Sequence, residues 1–313
     1  MKTTAKLISF VLIISLLWGF NTFVISPQYR VTSMYASYIP KAERAESISG
    51  QKALILGGSA SNLGFDSAYF ESLSGIPAAN MAITAGVPLR VYMKMAEMLA
   101  EPGDIVFLNL EPEYFSMDFW QIDEAYADMV DIDSDLRTDK NIFKTIQYYY
   151  TQFFRSFSRL NDNLNFKLQE QLEGGSIYIA SSVDEYGDFC LHEGKPSEYQ
   201  AVPATAEDFS VNEETMEQIV RFIDQMEKND ISVYVSYAPA NGFKFTNYQE
   251  YYTQIQTQVE SFIPKEHLIG TPFDFLYEES YFFDTEYHLL YDKRDSYTGD
   301  FYQKYVEVQQ DYR

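Results

Sequence analysis

Ser59 directly follows Gly57-Gly58, at the end of the apolar run ALIL from Ala53 to Leu56. A serine hydroxyl is a weak nucleophile until a base takes its proton, so the chemistry turns on histidine. The chain has three. His192 lies in a polar stretch. His267 sits in Lys265-Glu266-His267 ahead of a short apolar run, where a surface role is the simplest reading. His288 differs, lying in YFFDTEYHL (281–289), four residues after Asp284. A local turn at that spacing lets the Asp284 carboxylate accept from the Nδ1–H of His288. That contact fixes the tautomer and leaves Nε2 to face a serine. Singly, a Gly-Gly-Ser turn and a histidine among apolar residues are both commonplace. Together they place a nucleophile early in the chain and an Asp–His pair near its end, which is the equipment of acyl transfer or ester hydrolysis. Ser61 is a rival nucleophile; Ser59 is preferred because it follows the glycine pair directly.

Two weaker patterns compete. Glu111 and Glu113 flank Pro112 and resemble a glycosidase acid/base pair, although a polar loop at the rim of the site is the better reading. Asp131-Ile132-Asp133-Ser134-Asp135 resembles a cation loop but lacks the glycine and terminal glutamate of an EF-hand, so a solvated loop is expected.

Elements that alternate between strand and helix must position these residues. Short, continuously apolar runs at Ala53–Leu56, Ala78–Ile83, Ile105–Leu110 and Ile231–Tyr237 read as strands buried on both faces, with a shorter fifth at His267–Gly270. Apolar residues at three-to-four spacing mark helices at Asp66–Leu73, Pro88–Ala100, Glu213–Lys228 and Tyr248–Phe262. The alternation predicts an α/β fold with a parallel sheet covered on both faces. Ligands of such sheets bind outside the carboxyl ends of the strands. Here that means the segments beginning at Gly57, at Thr84-Ala85-Gly86 and at Asn109. Residues 115–210, with a long helix near Ile142–Leu172, read as an insertion, either a lid or a docking surface. The sheet domain is expected over 51–313.

GGSASNLGFDS after the first strand resembles the opening block of the SGNH (GDSL-like) hydrolases, with Gly57-Gly58-Ser59 in place of Gly-Asp-Ser. FFDTEYHLLYDKRDSYT resembles their closing Asp…His block. More narrowly, the chain resembles membrane-anchored proteins of envelope acylation, the DltD-like D-alanine transfer and alginate O-acetylation proteins. The resemblance covers roughly 51–114 and 231–313. It implies a three-layer α/β/α sandwich with a flavodoxin-like sheet. It makes Ser59 the nucleophile, Asp284 the orienting acid and His288 the base. Oxyanion donors would be Ser59, Gly86 and Asn109. The chain departs from the pattern at Gly58, at Phe107-Leu108-Asn109 where Gly-x-Asn is usual, and in an Asp–His spacing longer by one residue. The implied function is O-acylation, acetyl or D-alanyl, of a cell-surface polysaccharide, with a multi-pass membrane O-acyltransferase as partner and no cofactor or metal. A secreted carbohydrate esterase and an inactive scaffold are the alternatives.

The remaining composition bounds this picture. The 313 residues carry 23 basic and 46 acidic side chains, a net charge of −23. Nucleic acid is an unsuitable partner, since phosphate binding needs a basic face. The one cysteine, Cys190, excludes an internal disulfide framework. After Lys2 and Lys6 comes an uncharged apolar run from Leu7 to Ile25, long enough to cross a bilayer. Residues 1–27 are expected to form an uncleaved signal anchor with a cytoplasmic N-terminus; a cleaved signal peptide is the alternative. Residues 28–50 show little periodicity and read as a juxtamembrane stalk with one short helix. The exported part then carries a net −25. That charge suits a neutral or amino-sugar polymer better than a polyphosphate. The high tyrosine count, 26, agrees with a carbohydrate partner.

Overall fold

The structure, a computed structural model, describes residues 2–139, 141–173 and 177–312. The chain forms two compact units, 37–121 with 182–313 and 1–36 with 122–181.

The larger unit is built on a five-stranded parallel sheet in the order β2-β1-β3-β4-β5. Its strands are β1 (Ala53–Gly57), β2 (Ala78–Asn80), β3 (Ile105–Leu110), β4 (Ser232–Tyr237) and β5 (Leu268–Ile269). β1 and β3 are buried along their whole length, as uninterrupted apolar runs require. β2 is shorter than its apolar run, yet the amides of Met81 and Ile83 still reach Ile55 O and Gly57 O at 2.8 and 3.3 Å.

The helices, numbered along the whole chain, begin with α1 (Lys2–Phe20) and α2 (Ser26–Thr32) of the smaller unit. The larger unit carries α3 (Tyr38–Ser47), α4 (Ser59–Gly64), α5 (Ser67–Ser74), α6 (Leu89–Leu99) and α7 (Pro112–Ser116). The smaller unit adds α8 (Glu124–Ile132) and α9 (Ile142–Glu173). The larger ends with α10 (Glu213–Glu227), α11 (Tyr248–Glu260) and α12 (Arg294–Tyr312). Local signals set their ends. The Asp66 side chain accepts from Tyr69 N to start α5, and Gly75, at φ 72°, closes it in the left-handed conformation that glycine adopts without penalty.

One face of the sheet is covered through aromatic rings. Phe107 of β3 meets Phe70 of α5 and both Phe301 and Tyr305 of α12 at centroid distances of 5.1–5.7 Å, all edge-on. Such pairs add about 0.5–1.5 kcal/mol each beyond area burial.

Residues 28–50 hold more structure than a stalk with one short helix: both α2 and α3 are folded helices with buried residues. Lys41 of α3 is fully buried and donates to Asn62 Oδ1, Asn80 O and Gly187 O. Three acceptors satisfy all three ammonium protons, the condition for burying a lysine. The 115–210 stretch is also divided: 122–181 joins the N-terminus, and the rest belongs with the sheet.

In the smaller unit, α1, a π-type turn at Asn21–Ile25 and α2 form one run, Thr3–Arg30, long and apolar enough to cross a membrane.

Candidate active site

The order β2-β1-β3 places the reversal of winding between β1 and β3, where open parallel sheets bind ligands. Gly57 pairs with Asn109 across that crevice. A side chain at Gly57 would put its Cβ 2.0 Å from Asn109 O, and one at Gly58 would lie 2.3 Å from Glu111 Oε1. Neither glycine has positive φ, so both are required by space and not by turn geometry.

Ser59 opens α4 and is half-buried. Ser61 is fully buried and donates to Asn109 O at 2.8 Å. Ser61 therefore stitches α4 to β3, and Ser59 is the more accessible hydroxyl of the two. α4 is fixed from several sides. Asn62 Nδ2 donates to Ile83 O at 3.1 Å while its Oδ1 accepts from Lys41, and Asn80 Nδ2 donates to both Ser61 O and Asp188 Oδ1.

Asp284 and His288 meet. Nδ1 of His288 lies 2.7 Å from Oδ1 of Asp284. The contact forms in a pinched loop instead of a helical turn. Phe282 bridges Leu289, Phe283 N donates to His288 O at 2.7 Å, and Thr285 Oγ1 accepts from the amides of Tyr287 and His288. Tyr287 donates to Glu113 Oε1 at 2.9 Å, Asn241 N to Glu286 O at 2.7 Å, and Lys244 pairs with Glu286 at 2.6 Å. Glu113 follows β3 and Asn241 follows β4, so the loop sits at the carboxyl edge of the sheet, the edge that carries Ser59.

Asn109 is fully buried on β3. Its Oδ1 accepts from Tyr297 at 2.7 Å, and its Nδ2 has no partner among the described residues. Gly86 is exposed in the turn after β2. Two buried tyrosines hold that turn: Tyr92 accepts from the amides of Ile83 and Thr84, and Tyr114 is within 3.2 Å of the carbonyls of both Thr84 and Val87.

The two glutamates do not form a pair. Glu113 stands on the first turn of α7 and holds Tyr287. Glu111 is not a rim residue. Its buried carboxylate accepts from Ala60 N at 2.9 Å and Gly58 N at 3.2 Å, wrapping the turn that presents Ser59. Burial pushes its pKa up to about 7, against the pull of those amides. It fills the space that a side chain at position 58 would enter, which accounts for glycine there.

His192 is buried among Phe189, Phe283 and Tyr291, and burial pushes its pKa down to about 4. His267 is mostly buried, not a surface residue, with Nδ1 3.0 Å from Val233 O of β4. In the acidic loop, Asp131 pairs with Arg30 and Arg159, and Asp133 caps a short helical turn. Among the described residues no cluster of three or more acidic, histidine or cysteine side chains is placed to hold a metal.

Sequence reasoning missed Lys41, Tyr92, Tyr114, Asp188, Tyr297 and the role of Glu111. A buried lysine in a polar stretch carries no periodic signal. Glu111 alone had one, a carboxylate two residues past the end of a buried strand. No protein-family model, no curated protein and no solved structure shows significant similarity to this chain.

Proposed function

We propose that this chain is an SGNH-type serine acyltransferase or esterase, with a three-layer flavodoxin-like fold, held at the membrane by α1 with its N-terminus cytoplasmic. The observation that carries the reading is the 2.7 Å contact of Asp284 with His288 Nδ1, at the sheet edge that also presents Ser59. In this mechanism His288 Nε2 takes the Ser59 proton as Oγ attacks an acyl carbonyl. The Asp284 carboxylate holds the imidazole and stabilises the imidazolium. The oxyanion is met by the amides of Ser59 and Gly86 and by Asn109 Nδ2. His288 then protonates the leaving group, and a sugar hydroxyl or water attacks acyl-Ser59. Transfer to a cell-surface polysaccharide, served by a membrane O-acyltransferase, fits the −23 charge when the polymer is neutral.

A fluorophosphonate tests this on the full chain in detergent, read by intact mass. One adduct is expected, absent in Ser59→Ala, retained in Ser61→Ala, and formed about 10³–10⁴-fold more slowly in Asp284→Asn, where the tautomer is lost. The departures from the pattern at Gly58 and at Phe107-Leu108-Asn109 favour a second reading, a non-catalytic scaffold. A wild-type chain that forms no adduct would favour the scaffold.

A further inference from the structure

The polar side of α9 is consumed within the smaller unit. Arg155 and Arg159, one turn apart, both bind Asp128 of α8. Arg155 also reaches Tyr29, and Arg159 reaches Ser26 and Asp131. Gln147 and Gln152 donate to Ile122 O and Ala127 O. What remains outward is apolar: Ile142, Phe143, Ile146, Tyr149, Tyr150, Phe154, Phe157, Leu160 and Leu164 are 40–80% exposed. They recur every three to four residues, one face of a helix. Among the described residues from 141 to 164, the others in the exposed class are Asn141, Gln147 and Asn161, so none is charged. A stripe this long and uncharged is unusual for a surface facing water.

Its location names the occupant. α9 packs on α2 and on the π-type turn Asn21–Ile25, where the apolar run of the N-terminal helix gives way to Ser26, Pro27, Gln28 and Arg30. If that helix spans a bilayer, this is the level of its outer interface. Trp18, Tyr148, Tyr149 and Phe153 line one cavity of about 430 Å³ there, at the depth where aromatic residues collect in membrane proteins.

We propose that α9 is an interfacial helix, lying in the outer leaflet with its Phe143–Leu164 stripe in lipid. This rests on the membrane reading of α1. The stripe carries no basic residues, so binding comes from apolar burial and is insensitive to anionic lipid and to salt.

The test uses the full chain with Cys190→Ser. Single cysteines replace Phe143, Tyr150 or Phe157, with Leu12→Cys in α1 and Lys228→Cys in the sheet unit as references. Each is labelled with an environment-sensitive fluorophore and reconstituted in phosphatidylcholine vesicles containing brominated acyl chains. The α9 labels are expected to lie about 5–10 Å into the boundary. They should be quenched several-fold more than the Lys228→Cys label, more strongly by shallow bromines than by deep ones, with the opposite order at Leu12→Cys. Quenched Leu12→Cys with α9 labels no more quenched than Lys228→Cys would overturn the proposal and leave a protein partner as the occupant. Loss of quenching at Leu12→Cys as well would overturn both this proposal and the membrane reading.

Discussion

Asp128 and Glu111 are both buried carboxylates, held in opposite ways. Asp128, in the helical unit, sits between two guanidinium groups and the Tyr29 hydroxyl. Glu111, in the sheet unit, is held by two backbone amides, and among the described residues no cation pairs with it. Opposing charges make Asp128 a clamp that fixes how α9 meets α2 and α8. Amides alone leave Glu111 able to gain and lose a proton near neutrality, while it touches the turn that carries Ser59. A buried acid is thus a structural device or a titrating one according to the company it keeps.

Removing the clamp should have the largest effect. Asp128→Ala leaves Arg155 and Arg159 buried without their main partner. It should cost about 3–5 kcal/mol, measured by denaturant unfolding of the full chain in detergent. A loss below about 1 kcal/mol would place the pair in the class of surface ion pairs and dissolve the contrast.

Glu111→Gln sharpens the other half. The Glu111 pKa is raised from 4.5 to about 7, so the native state holds this proton more tightly than the unfolded chain. Its contribution to stability is fully present below the unfolded pKa and is lost as pH rises through the folded one. The variant should therefore gain on wild type by on the order of 3 kcal/mol as pH rises from roughly 4 to 8. A difference flat across that range would show that Glu111 does not titrate there.

The smallest effect tests the contact itself. Gly58→Ala drives a methyl group into the Glu111 carboxylate and should cost about 1–3 kcal/mol. In a Glu111→Ala background the same substitution should cost markedly less, a coupling that a double-mutant cycle reads directly. Additive costs would mean that the carboxylate is not what forbids a side chain at 58.

These contrasts also mark what could be read from the chain alone. The buried strands announce themselves as unbroken apolar runs, and Ile105–Leu110 is matched residue for residue by β3. Helices with one apolar face were legible to within two residues, as at Leu89–Leu99 and Glu213–Glu227. The Asp284–His288 contact was legible because four residues bring the groups together locally, though a loop does it in place of a helix. Long-range polar partners were not legible. Gly58 and Ala60, on either side of Ser59, bond Glu111 across 53 and 51 residues, and Tyr297 meets Asn109 across 188. No periodicity encodes such pairs. Nor did it show that residues 122–181 belong with the first 36, because amphipathic helices declare a buried face without naming what buries it.

The placement of Lys41 bears on the order of events during synthesis. Its acceptor at Gly187 lies 146 residues downstream. At 5–20 residues per second that part of the chain follows on the order of 10 s later. Until then the lysine has only two of its three acceptors, Asn62 Oδ1 and Asn80 O, 21 and 39 residues downstream. The sheet unit, made of 37–121 and 182–313, can therefore be completed only after the 122–181 segment has emerged, and Lys41 gains its last acceptor late.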